Sequence, residues 1–300
     1  MNLQTFQGQP VIVLTSASSH AIVSPATGAQ LLSWKHGDWT IIDWPQDANW
    51  QQWVHGGNQV LFPFIARTYA KGKIGSWIDD AGVERHASMH GFAKDFPFHV
   101  VDGGADFVTL RQDANDITRR EFPFDYRLEV THRLTADSLS TTFRVEHRGC
   151  SGSRAMPWAA GHHYYFNVPA EQRADWVLTL PCEQWASQDF SDGSYSFTPA
   201  KWAEAPLSQT EWVDRMQLNT QFDAITLRHA PSGRSLAFEA LHCGDWPVVT
   251  TWTGNPKENF FCVEPWSALP DAVHNGHGLR TLSAGESCEI GCIVRIKHHE

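Results

Sequence analysis

No stretch of the 300 residues approaches the run of about 20 apolar positions that a membrane-spanning helix needs, so no span is expected. The first ten residues, Met1 to Pro10, have no basic region followed by a long apolar one, and no secretory leader is expected. Basic residues are scarce: 23 Lys and Arg stand against 33 Asp and Glu, a net charge of −10. That balance leaves no broad basic footprint for nucleic acid or anionic lipid. The six cysteines, Cys150, Cys182, Cys243, Cys262, Cys288 and Cys292, form no CxxC pair and no metal-ligand spacing. Reduced, buried thiols in a cytoplasmic protein are the simplest account. Cys288 and Cys292 share a strand face but stand too far apart to bridge. There is no GxSxG elbow, no GxGxxG after a strand and no P-loop, so the hydrolase, dinucleotide and nucleotide readings lose their usual support.

Helical periodicity is also missing. No amphipathic pattern runs longer than about ten residues, and there is no repeat, low-complexity tract or linker. Short β-rich segments between turn residues fill the chain instead. They include Pro10–Ser16, His20–Ser24, Gln30–Trp34, Phe124–Leu134, Ser138–His147, Val248–Trp252, Asn259–Val263 and Ser287–Ile296. Lys71–Gly82 reads as one hairpin turning at Asp79-Asp-Ala-Gly82. The pattern predicts an all-β fold, a large antiparallel β-sandwich spanning residues 1–300 as one domain.

What the chain has in excess is aromatic surface, with 14 Trp and 17 Phe. Indole faces suit both a core and a cleft in which sugar rings stack, and composition does not separate the two. The aromatics crowd around Pro157-Trp-Ala-Ala-Gly-His-His-Tyr-Tyr-Phe-Asn-Val-Pro169. On a strand, His163 and Tyr165 share one face while His162, Tyr164 and Phe166 share the other. A histidine in such a place is a satisfied core residue or a positioned acid/base, and alternation leaves open which of the two faces a cleft.

Two further segments carry chemistry. In Asn259-Phe-Phe-Cys-Val-Glu-Pro-Trp266, alternation puts Glu264 on a face with Phe260 and Cys262, with Pro265 ending the regular strand. A carboxylate on an apolar face must be paired or have a raised pKa, which suits a general base. In Ser88–Asp95, His90 precedes Gly91 in a loop; His86 and His90 have no third partner at ligand spacing, so no metal is expected. Arg67 ends an apolar stretch that begins at Gly56-Gly57, where surface capping is the plainer reading. Asp223 opens a strand, which by spacing alone suits a turn cap.

Taken in order, Gly56-Gly57 through Phe62-Pro63-Phe64 to Arg67, His90-Gly-Phe-Ala-Lys94, His163-Tyr-Tyr-Phe-Asn167, Phe222-Asp223 and Phe261-Cys-Val-Glu-Pro-Trp266 resemble the aldose 1-epimerases, the galactose mutarotases and hexose-6-phosphate mutarotases. The resemblance covers nearly the whole chain and implies an isomerase acting on a sugar without metal or organic cofactor. It implies His163 as general acid on the ring oxygen and Glu264 as general base on the anomeric hydroxyl. Arg67, His90 and Asp223 would hold sugar hydroxyls. The implied partner is a small sugar, free or phosphorylated, with neither nucleic acid nor membrane, and the implied protein is a monomer or homodimer. Two departures stand out: Lys94 where many relatives have Arg, and Tyr164 after the histidine, expected to reshape the pocket wall. A phosphorylated substrate would need a cationic cluster, for which Lys71, Lys73, Arg85 and Lys94 are candidates. A non-catalytic sugar-binding protein on the same fold would have no use for both His163 and Glu264.

Overall fold

The computed structural model describes residues 1–242 and 246–298; Cys243 lies outside the described residues. Two large antiparallel sheets dominate. The first has twelve strands. From one edge it runs through Asn2–Phe6, Gln9–Ser16, Ser19–Ser24, Gln30–His36 and Trp39–Ile42 to Gly161–Asn167, Phe260–Trp266, Val248–Trp252, Arg215–Leu218, Gln184–Gln188 and Tyr195–Pro199. The short strand Asn58–Leu61 pairs with both Gly161–Asn167 and Gln30–His36. The second sheet has nine strands, with Tyr126–Leu134, Ser138–His147, Ser287–His298 and Arg234–His242 at its centre.

The expected alternation is what packs the two sheets together. Tyr164, Phe166, Phe261 and Val263 of the first sheet join Leu128, Val130, Phe143 and Val294 of the second in one buried cluster. Their strand neighbours Tyr165, Phe260 and Cys262 belong to a separate cluster on the opposite face. The core thus lies between the sheets, and the far face of the first sheet is free to carry a site. Among the described residues helices are minimal, the α-helices being the four-residue turns Thr118–Glu121 and Ala272–Asn275.

Three local expectations change. Lys71–Gly82 is not one hairpin. Tyr69–Ala70 pairs with Lys73–Ile74, and Ser76–Ile78 pairs with Glu84–His86. Asp79 closes the second turn by accepting from the Ala81 and Val83 amides while holding the Arg85 guanidinium at 2.8 Å. Pro265 does not end its strand, which continues through Trp266 with Pro265 opposite Val249. Tyr164 forms no pocket wall: it is fully buried in the core, stacked on His162 at 4.9 Å.

Candidate active site

The far face of the first sheet floors a cavity of about 510 Å3. Register places its central residues. Tyr164 pairs with Val263 and Gly161 with Trp266, so His163 stands opposite Glu264. Glu264 in turn pairs with Thr250, and Thr250 with Met216. Directly opposed residues point to the same face, so His163, Glu264, Thr250 and Met216 form one row across four strands. Pro265 sits in this row's strand without an N–H to give, and no ladder pairing is made to His162 or His163 from that side. On its opposite edge Gly161–Asn167 pairs with Asn58–Leu61, His163 opposite Gln59.

His163 Nε2 lies 3.4 Å from Glu264 Oε2, and the residues are 5 % and 1 % exposed. His163 Nδ1 and Glu264 Oε2 are buried with no hydrogen-bond partner among the described residues. Tyr165 stacks on the His163 ring at 4.6 Å, nearly parallel, and accepts from Trp53 Nε1 at 3.1 Å. Asn58 ties the strand down by accepting from the His163 amide, while its Nδ2 donates to His162 Nδ1. His162 therefore faces the core, between Phe143 and Tyr164, and His163 faces the cavity.

Burial decides the electrostatics. It drives the His163 ring well below the usual 6.5, with His90 and His55 adding to the effect. It drives the Glu264 carboxyl well above the usual 4.5, reinforced by Asp214 and opposed by the nearby Trp266 side chain. Both groups are held toward their neutral forms, and the pair shares one proton.

His90 is fixed by an exchange with Ala66: its amide donates to Ala66 O at 2.8 Å, and the Ala66 amide donates to His90 Nδ1 at 3.2 Å. The proton of the neutral ring is thereby left on Nε2 as a donor. Burial, then Lys94 and Arg67, push this ring down to about 3. The loop reaches its shape through Gly91, at φ +71°, where a Cβ would sit 2.0 Å from Phe62 O. Gly91→Ala is expected to cost about 2–4 kcal/mol and to displace His90; a melting curve that matches wild type would refute this.

Arg67 follows Ala66 and lines the same cavity, its guanidinium 4.2 Å from the Phe190 ring centroid, so the surface-cap reading gives way. Asp223 does not join them. It lies in the turn Phe222–Ala224, exposed, and accepts from the Ala240 amide of the second sheet at 2.8 Å, as a turn cap does. The acid at the cavity rim is Asp214. Its carboxyl is held above the usual range by partial burial, against the pull of Arg67 and Arg215. The sequence pattern did not single it out. It also passed over Trp53, His55 and Trp252, which line the cavity through ring contacts with His90, Tyr165 and His163.

The fold has relatives. The sequence profile of the aldose 1-epimerases matches residues 10–295. The chain belongs to the aldose 1-epimerase family. Among curated proteins it is 24% identical to the chromosomal LacX protein of Lactococcus lactis over 271 residues, 83% of this chain and 85% of LacX. Among solved structures it is similar to a galactose mutarotase-like protein from Lactobacillus casei, with a TM-score of 0.78, 26% identity, and 96% and 100% of the two chains covered. A galactose 1-epimerase from Lactobacillus acidophilus shares the fold at a TM-score of 0.71 and 14% identity over 99% of each chain. The architecture is that of the galactose mutarotase-like supersandwich.

One further grouping lies in the site. His163, Cys262 and Glu264 bring a ring nitrogen, a thiol and a carboxylate oxygen within 4.8 Å of one another, the donor types a divalent transition metal uses. Cys262 escaped the search for metal ligands because its partners are two residues along its strand and one strand away. Burial, reinforced by Glu264, pushes its thiol well above the usual 9.0, which keeps it protonated.

Proposed function

We propose that the protein is an aldose 1-epimerase that interconverts the anomers of a hexose by opening and reclosing the pyranose ring. The observation that carries this reading is the His163–Glu264 pair: two titratable groups, cross-strand neighbours, 3.4 Å apart in a cavity of sugar size. Membership of the family supports it.

In the forward step Glu264 takes the proton from O1–H as the C1–O bond becomes a carbonyl. The C1–O5 bond breaks, and O5 takes a proton from His163. Rotation about C1–C2 presents the other carbonyl face, and closure runs the transfers in reverse. The step begins with the pair as carboxylate and imidazolium and ends with both neutral. It changes no proton count, and burial favours the side that it reaches. Each positioned transfer contributes roughly 10²–10⁴-fold. Arg67 and the His90 Nε2–H supply donors to sugar hydroxyls, and Asp214 takes the acceptor's role that Asp223 cannot reach.

A 6-phosphate substrate has less support. Lys73 pairs with Glu84 and Arg85 with Asp79, while Lys94 is held by Gly91 O and Asp95. None of the four candidate cations, Lys71, Lys73, Arg85 and Lys94, lines the cavity.

Polarimetry of freshly dissolved α-D-glucose and α-D-galactose tests the proposal. Acceleration by the wild type, largely lost in His163→Asn, is the expected result. The rate should show the two limbs of an acid/base pair: uptake of a second proton, at a value below the usual histidine 6.5, ends activity on the acid side, and loss of the shared proton, at a value above the usual carboxylate 4.5, ends it on the alkaline side. No acceleration of either sugar, with intact folding, would leave the sugar-binding reading in its place.

A further inference from the structure

A second cavity, of about 670 Å3, adjoins the first. The two share a wall made by Trp53 and Met89, both apolar and both exposed, at 36 % and 42 %. Trp53 is a partition with chemistry on each side. Toward the first cavity its ring lies 5.7 Å from His90 and from His163, and its Nε1 donates to Tyr165. Toward the second it lies 5.7 Å from Lys94 Nζ. The floors are adjacent too. Gln59, in the wall of the second cavity, is the cross-strand partner of His163. Their Cβ atoms are therefore about 5 Å apart.

The lining of the second cavity is indole and amide. Trp44 and Trp50 meet with centroids 5.0 Å apart, and Gln51 and Gln52 stand exposed beside them. The charged pair in its wall is self-neutralising, Lys94 to Asp95 at 2.6 Å. Beneath this surface Gln59 Oε1, an acceptor, and Trp44 Nε1, a donor, are buried without partners among the described residues, on side chains 4 % and 3 % exposed. Sugar hydroxyls are donors and acceptors at once and match either kind of unmet group, which an apolar ligand does not. Flat apolar rings between amides, with no net charge, suit a neutral pyranose.

We propose that the second cavity is a subsite for a further sugar unit, so that the substrate is a reducing disaccharide or longer glycan crossing the Trp53 ridge. The assignment of its reducing end to His163 and Glu264 rests on the mutarotase reading; the subsite itself does not.

The test compares kcat/KM by polarimetry for D-glucose and D-galactose with that for maltose, cellobiose and lactose. It uses wild type, Trp50→Ala, Trp50→Phe and the exposed Gln51→Ala. At least one disaccharide is expected to exceed its monosaccharide about tenfold, as one added aromatic contact allows. Trp50→Ala should remove that margin while monosaccharide rates move less than twofold, and Trp50→Phe should restore part of it. Binding of the methyl glycosides of the same disaccharides, read by tryptophan fluorescence, needs no turnover. If they bind and Trp50→Ala or Gln51→Ala weakens them although no free sugar is turned over, the subsite stands and the mutarotase reading falls. If monosaccharides turn over but no disaccharide is preferred and no methyl glycoside binds, the subsite is overturned.

Discussion

Glu264→Gln is expected to lower kcat for mutarotation by roughly 10²–10⁴-fold and, at the same time, to raise the melting temperature at neutral pH. The two effects have one cause. Glu264 is 1 % exposed, its Oε2 has no hydrogen-bond partner among the described residues, and burial raises its carboxyl well above the usual 4.5. Above that value the unfolded chain releases the proton freely and the folded chain does not, so the wild type loses stability as pH rises from 4.5 through the raised folded value. Gln has the same shape and no proton to lose. The gain should be roughly 1–3 kcal/mol at pH 7, several degrees in melting temperature, and should shrink toward zero as pH falls to about 4.5. Calorimetry across that range, with polarimetry at pH 7, reads both halves. A structural carboxylate would show the opposite pair, lower stability with activity intact, and that outcome would end its assignment as the base.

The same physics explains what the sequence made legible. Period-2 alternation alone separated His162 from His163 and put Glu264 on a face with Cys262, because a strand between two packed layers must send successive side chains to opposite sides. Which side held the cleft was not local information. It depends on the partner sheet, supplied by strands such as Tyr126–Leu134 and Ser287–His298 far along the chain. Asp214 and Asp223 show the limit most clearly. Each is an acid close before a strand of the structure, and nothing in their neighbours distinguishes a turn cap from a cavity wall. The difference is that Arg215–Leu218 joins the first sheet and Thr226–His229 the second. Pro265 misled for a similar reason. A missing N–H ends a strand only if a neighbour asks for it, and here the ladder to Gly161–Asn167 skips His162 and His163 while Pro265 keeps its place opposite Val249. Tyr164 was placed by its likeness to a motif position rather than by its face, and its face was right.

Acid should unfold this protein unusually steeply. Four histidines are buried and held neutral: His90 at about 3 and His132 at about 4, with His162 and His163 also driven well below 6.5. Each is built to stay neutral. His132 is fully buried, with one nitrogen 2.9 Å from Thr141 Oγ1 and the other 2.8 Å from Ala29 O, so the neutral ring with its proton toward Ala29 has both nitrogens satisfied without a charge. His162 accepts from Asn58 between two aromatic rings. Below 6.5 the unfolded chain binds these four protons and the folded chain does not, so stability falls as pH falls. Glu264 and Asp214 pull the other way, since their raised values make the folded chain the better proton acceptor down to the usual carboxylate range. The net slope is roughly 3–4 kcal/mol per pH unit between about pH 6 and 4.5, a loss of about 5–6 kcal/mol over that window against an ordinary domain's stability of about 5–15 kcal/mol. Urea titrations followed by tryptophan fluorescence at a series of pH values measure that slope directly. His132→Gln supplies the control. Whatever it costs in absolute stability, it removes one buried imidazole, so its slope should be shallower by about 1.4 kcal/mol per pH unit. An unchanged slope would mean that His132 takes up its proton in the folded state and that burial does not hold it neutral.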